Sequence, residues 1–257
     1  MSKIIAISCH KGGVGKTTTA AALGGILADR GKKVLLVDLD AQMNLTSTFI
    51  FEALPARTMA EALSQQRDIP EVPVRKNLFL APSSDDLSAM DSTIGAKPGP
   101  GKDYLLAELL KPVQDKYDYV IIDSPAQVGI ATANALVAAD YVLIPVNADA
   151  YSIGGLGQIM YLVDEVRRYC NRSLDVLGVF ITRFNPRRIV DRKVQESVAT
   201  EYGSLALKTF IRENSAIAQA PICHKDITAY DSSCNGAKDY VSLCNEILKI
   251  IKKKSKA

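Results

Sequence analysis

The chain has 257 residues, 47% of them hydrophobic and 23% charged, with a formal net charge of +3. That balance describes a globular chain long enough to bury an enzyme-sized core, and it excludes disordered, collagenous and strongly polycationic classes. Five scattered cysteines with no C-x-x-C pair argue against a disulfide framework or a zinc site, and no apolar run approaches the roughly 18–20 residues of a membrane-spanning helix, so a cytoplasmic chain is expected.

In chain order, Ile4–Ser8 reads as a first strand and Thr17–Arg30 as a first helix stopped by Gly31. Between them lies Lys11-Gly12-Gly13-Val14-Gly15-Lys16-Thr17-Thr18. Glycines let backbone N–H groups approach phosphate oxygens, and a helix N-terminus adds positive potential. Lys16 is placed to meet the β- and γ-phosphates, and the Thr17 hydroxyl to ligate Mg²⁺. The usual first glycine of such a loop is replaced by His10, read here as a neutral side chain packed beside the loop. Val34–Asp38 is a second strand, and Asp38 and Asp40 are separated by one residue before a turn at Ala41-Gln42-Met43-Asn44. A helix over Thr58–Gln65 and a strand over Leu78–Ala81 follow. Ser92–Lys102, punctuated by Gly95, Pro98, Gly99, Pro100 and Gly101, reads as a surface loop.

A helix over Tyr104–Leu110 leads to the strand Tyr119–Asp123, whose terminal carboxylate is placed to hold Mg²⁺ near a γ-phosphate. Helices over Thr132–Val137, Gly155–Arg168 and Val190–Tyr202 alternate with strands over Tyr141–Val146 and Val176–Ile181. Ala237–Ile251 sets Tyr240, Val241, Cys244, Ile247, Leu248 and Ile251 at helical spacing. That stripe reads as a core face, with a membrane-surface helix as the alternative because Lys249, Lys252, Lys253, Lys254 and Lys256 interleave or follow it. The alternation predicts an α/β fold, a doubly wound, mostly parallel sheet with helices on both faces. One domain over residues 1–257 is expected, with no DNA-binding domain before the first strand. Function should gather at the carboxyl ends of the strands.

Lys11 inside the loop resembles the deviant Walker A motif of the ParA/MinD-type P-loop ATPases. Asp38-Leu39-Asp40-Ala41-Gln42-Met43-Asn44 is similar to that family's D-x-D-P-Q-x-N segment, with Ala41 for the usual proline and Met43 for a small residue. Ser124-Pro125-Ala126-Gln127-Val128-Gly129 resembles the D-x-P-P-S-L-G switch, with Ala126, Gln127 and Val128 in place of P-S-L. Phe210–Pro221 and Tyr230–Ala237 resemble the ParA branch.

The resemblance implies ATP and Mg²⁺ as cofactors and an ATP-dependent homodimer in which Lys11 reaches the partner's phosphates. It implies Lys11, Lys16 and Asp40 as catalytic residues, Asp40 orienting or activating water. Thr17, Asp38 and Asp123 would serve the metal, Gly12 to Thr18 the phosphates, and Thr182 and Arg183 the adenine. The ParA branch further implies nonspecific double-stranded DNA as a partner, weak turnover stimulated by a ParB-like protein, and a nucleoid-associated chain without stable membrane association. Arg183, Arg187, Arg188, Arg192, Lys193 and Arg212 are the expected DNA contacts. The alternatives are a MinD-like membrane-surface or scaffold-positioning ATPase, and a P-loop ligase or kinase.

Overall fold

Runs such as Lys3–Ile7 and Val34–Asp38 are apolar at almost every position, so strands made from them need cover on both faces. The computed structural model, which describes residues 2–51, 53–94, 101–149 and 152–255, supplies that cover. Its strands are β1 (Lys3–Ile7), β2 (Val34–Asp38), β3 (Val72–Arg75), β4 (Leu78–Ala81), β5 (Tyr119–Asp123), β6 (Tyr141–Asn147) and β7 (Asp175–Thr182). They form one sheet in the order β3-β4-β2-β5-β1-β6-β7. All neighbours are parallel except the β3–β4 pair at the edge. The periodicity did not predict β3. It carries Pro73, and an edge strand tolerates the missing N–H.

The helices are α1 (Lys16–Asp29), α2 (Asn44–Phe49), α3 (Met59–Gln65), α4 (Met90–Thr93), α5 (Leu105–Leu110), α6 (Ile130–Ala138), α7 (Ser152–Tyr169), α8 (Ile189–Tyr202), α9 (Ser215–Ile222), α10 (Ile227–Tyr230) and α11 (Asn235–Lys254). The loop expected over 92–102 lies for the most part outside the described residues. Alternate residues of the central strands face two cores. Leu35, Val37, Val120 and Ile122 pack with residues of α3, α5, α6, α7 and α8, whereas Leu36 and Ile121 pack with residues of α1 and α11. Both parities are apolar because both faces are covered.

The C-terminal stripe belongs to the second core. Tyr240, Leu243, Cys244 and Ile247 are buried there, and the Lys254 ammonium is tied to Asp175 at the start of β7. Among the described residues no helix is long and apolar enough to cross a membrane.

One buried ion pair joins α1, the sheet edge and α10. Asp226 accepts from the backbone N–H groups of Thr228 and Ala229, capping α10, and takes the Arg75 guanidinium at 2.6 Å. Arg75 also donates to the Gly25 carbonyl at 3.1 Å. A Cβ on Gly25 would sit 2.6 Å from the Asp226 carboxyl carbon. Gly25→Ala is therefore expected to cost about 2–4 kcal/mol of unfolding free energy, because it overpacks the site and pushes a buried charge off its partners. Urea denaturation measures it; a loss below about 0.5 kcal/mol would show that the carboxylate yields freely.

Candidate functional site

The phosphate loop follows β1 and turns into α1 through two left-handed glycines, Gly13 at φ 72° and Gly15 at φ 88°. A side chain at either position would strain the backbone. Lys16 opens α1, is only 7% exposed, and donates to the Lys11 carbonyl at 3.2 Å, so its ammonium is held over the loop. Lys11 points elsewhere. Its ammonium meets both carboxylate oxygens of Asp149 at 2.7 Å, just past the end of β6. Cys9 lies buried before the loop; burial pushes its thiol up to about 11, which keeps it neutral and a poor nucleophile.

The acids stand at the ends of adjacent strands, with Asp38 and Asp123 in register across β2 and β5. Asp38 is saturated. It accepts from the Thr46 hydroxyl at 2.7 Å, the Thr46 N–H at 2.8 Å and the Asp40 N–H at 3.1 Å. Its carboxylate thus fixes the start of α2. Asp123 is fully buried, and neither of its oxygens has a hydrogen-bond partner at normal geometry. Burial raises the pKa of both acids; for Asp123 the charge of Asp38 adds to the shift, while Thr17 and Lys16 oppose it. Two orphaned buried oxygens near a threonine hydroxyl at the mouth of a phosphate loop fit a hard divalent cation, with Asp123 and Thr17 as its protein-side groups.

The turn after β2 is closed despite Ala41. Met43 donates to the Asp40 carbonyl at 2.9 Å, Gln42 to the Asp40 carboxylate at 3.0 Å, and the Ser83 hydroxyl to the Asp40 carbonyl at 2.8 Å. Met43, in the family's small-residue place, takes a left-handed φ of 54°.

Two cavities meet around the loop. One of about 520 Å³ is lined by Gly12, Lys16, Thr17, Asp40 and Gln42, the other of about 560 Å³ by Arg183, Ile211, Asn214, Ile217 and Tyr240. They share Gly13, Gly15, Thr18 and Pro221, forming one cleft with a polar end and a more apolar end. The apolar end exists because the chain after β7 folds back: Phe184 donates to the Ile211 carbonyl and Glu213 to that of Phe184. Asn214 then caps α9 through the Ala216 N–H. Thr182, expected against adenine, turns its hydroxyl to the loop, within 2.9 Å of both the Val14 carbonyl and Asn147 Oδ1. Only its methyl approaches Gly15 on the cavity side. Arg183 lines the rim with φ 54°.

The expected cationic cluster divides. Arg187, Arg192 and Lys193 are exposed at the start of α8, while Arg188 pairs with Glu213 at 3.0 Å. Arg212 is committed to Asp239, donating through Nε at 2.9 Å and a terminal nitrogen at 2.6 Å. That bidentate pair joins the cavity wall to α11. Sequence reading missed Asp149, Thr46 and Ser83, all ordinary polar residues whose roles exist only through tertiary contact, whereas Asn147 is marked by its place at the carboxyl end of the strand Tyr141–Val146; the Asn214–Ser215 cap was a local signal available for α9.

Residues 2–176 match the AAA domain family model. Over 251 residues the chain is 37% identical to the sporulation initiation inhibitor protein Soj of Bacillus subtilis, covering 96% of this chain and 98% of Soj. It is 34% identical over 253 residues to the chromosome partitioning protein ParA of Myxococcus xanthus, covering 97% of this chain and 89% of that one. The chain belongs to the ParA/MinD-type ATPase family. A solved relative, the cobyrinic acid a,c-diamide synthase of Mycobacterium smegmatis with bound ATP analogue and magnesium, superposes with a TM-score of 0.85 at 28% identity, over 98% of this chain and 96% of that one. The P-loop fold expected from the motifs is the fold observed.

Proposed function

We propose that this ParA-like ATPase is a DNA-partitioning ATPase built on one domain. Mg²⁺·ATP fills the two-ended cleft, Lys11 leaves Asp149 to reach the phosphates of a second copy, and the dimer holds nonspecific double-stranded DNA. Hydrolysis dissolves the dimer and releases the DNA, moving a plasmid, chromosome region or mobile element along the nucleoid. A ParB-like protein stimulates the turnover. The observation that carries this reading is the continuous cleft between Lys16 and Ile211, with Lys11 five residues before Lys16 yet directed to a separate carboxylate. Similarity to Soj and ParA supports the partition role. Burial of the α11 stripe disfavours the membrane-surface alternative, because the apolar face it would need is already packed.

Arg187, Arg192 and Lys193 are the DNA-facing cations in this reading. Co-sedimentation with nonspecific duplex DNA and with anionic liposomes, each with ATP, ADP or no nucleotide, tests it. DNA retention is expected with ATP alone. Reversing all three charges to Glu is expected to weaken retention at least tenfold at moderate salt. The slope of log affinity against log salt should flatten by about one for each phosphate that no longer meets a cation. Equal retention with ADP, or retention on liposomes only, would sink the DNA reading.

A further inference from the structure

In an extended segment successive backbone N–H groups point to opposite sides, so a segment laid along a sheet edge has only alternate groups paired by that sheet. Residues 211–213 follow this rule beside β7 and the residues after it. The Ile211 N–H donates to the Ile181 carbonyl at 2.8 Å, and the Glu213 N–H to the Phe184 carbonyl at 3.2 Å. The Arg212 N–H between them turns the other way, and a group from another element has to satisfy it.

Asp239 of α11 is that group. Its Oδ2 accepts from the Arg212 N–H at 3.0 Å and from Arg212 Nε at 2.9 Å, while its Oδ1 accepts from a terminal guanidinium nitrogen at 2.6 Å. Asp239 is only 9% exposed, so its charge is balanced by the guanidinium while its Oδ2 does the work of a neighbouring strand. The segment held in this way is a wall of the apolar end of the cleft. Ile211, Arg212, Glu213 and Asn214 all line the cavity of about 560 Å³, as does Tyr240, the residue next to Asp239 on α11. The phosphate end is built from other elements, with Lys16, Thr17 and Asp40 on its lining. All three bonds of Asp239 go to Arg212, so its loss bears on one end of the cleft and leaves the other in place.

We propose that Asp239 is a positioning residue for nucleoside recognition: by holding the Arg212 N–H it fixes segment 211–214 as the wall that meets the base and ribose, and it acts without touching the phosphates. The inference rests on the ATPase reading above. A wall that moves by a fraction of an ångström no longer presents its backbone groups to a ring edge, and the ordering it then needs is charged to binding.

Calorimetric titration of the full chain with Mg²⁺·ATP and, separately, with Mg²⁺·tripolyphosphate, which has phosphates and no nucleoside, tests this. Asp239→Ala is expected to lower ATP affinity about tenfold or more and to leave tripolyphosphate affinity within about twofold of the parent. The double variant Arg212→Ala with Asp239→Asn removes the ion pair but keeps an acceptor for the N–H at position 212, so its ATP affinity should stay within about threefold of the parent. An Asp239→Ala chain within twofold of the parent for ATP overturns the inference. So does an equal fall for both ligands, which reports a damaged fold, and so does a double variant as weak as Asp239→Ala, which credits the ion pair instead of the backbone bond. A parent chain that binds neither ligand overturns the ATPase reading itself, so the two failures are told apart.

Discussion

Lys16→Ala is expected to lower ATP affinity by at least about 10²-fold while leaving the fold intact, because the side chain is a nearly buried cation held over the loop proposed to take the phosphates. The residue is 7% exposed, and its ammonium donates to the Lys11 carbonyl. Removing one partner of a buried charge pair typically costs about 3–5 kcal/mol, which is roughly a 10²–10³-fold change in a binding constant. Lys11→Ala is the informative control in the same titration. Lys11 is more exposed and is held by Asp149 in its own chain, so its loss should spare nucleotide binding by the single chain and remove ATP-dependent dimers. Titration with a fluorescent ATP analogue, with light scattering for mass, separates the two lysines. A Lys16→Ala chain within threefold of the parent affinity would remove that ammonium from the phosphate site, and equal effects of both substitutions would undo the division of labour between them.

The strands and most helices were legible because their signal is local. Val34–Asp38, Leu78–Ala81 and Tyr119–Asp123 begin and end where apolar runs do, since each is covered on both faces. The phosphate loop was legible for the same reason: its glycines, lysine and threonine are contiguous, and the left-handed backbone they need is a property of those residues. What the sequence hid was partnership across distance. Lys11 and Asp149 lie 138 positions apart, and nothing near either one marks the other. Arg212 reads as a free surface cation until α11 brings Asp239 against it, 27 residues on. Thr182 was correctly placed at the end of β7, but which way its hydroxyl turned depended on Val14 and Asn147 arriving from other loops. The apolar end of the cleft was the least legible part, because it is made by short helices and a fold-back pairing with no periodicity of their own.

Asp123→Asn is expected to move stability and activity in opposite directions. Asp123 is fully buried, lacks a hydrogen-bond partner at normal geometry, and stands in register with Asp38. Burial and the neighbouring carboxylate both raise its pKa, so the folded chain binds a proton that the unfolded chain releases over the ordinary carboxylate range. Folding therefore takes up protons between that range and the raised value, and stability of the nucleotide-free chain falls as pH rises across the window. An amide has no such proton to lose. The substitution should raise the unfolding free energy near pH 7.5 by about 1–2 kcal/mol and flatten its pH profile, with Asp38 supplying the slope that remains. The same change removes the anionic oxygens best suited to Mg²⁺, so metal-dependent turnover should fall on the order of 10²-fold or more. Urea denaturation across pH, run beside phosphate-release assays with and without Mg²⁺, reads both effects. A variant that is less stable than the parent at neutral pH would mean that the carboxylate is satisfied in the absence of metal, and one that keeps its Mg²⁺-dependent turnover would move the cation away from β5. The expected pairing of a firmer fold with a silent site follows from one fact: the strand ends hold two acids close together in a dry place, an arrangement that a proton, an amide or a bound cation relieves, and of these only the cation serves turnover.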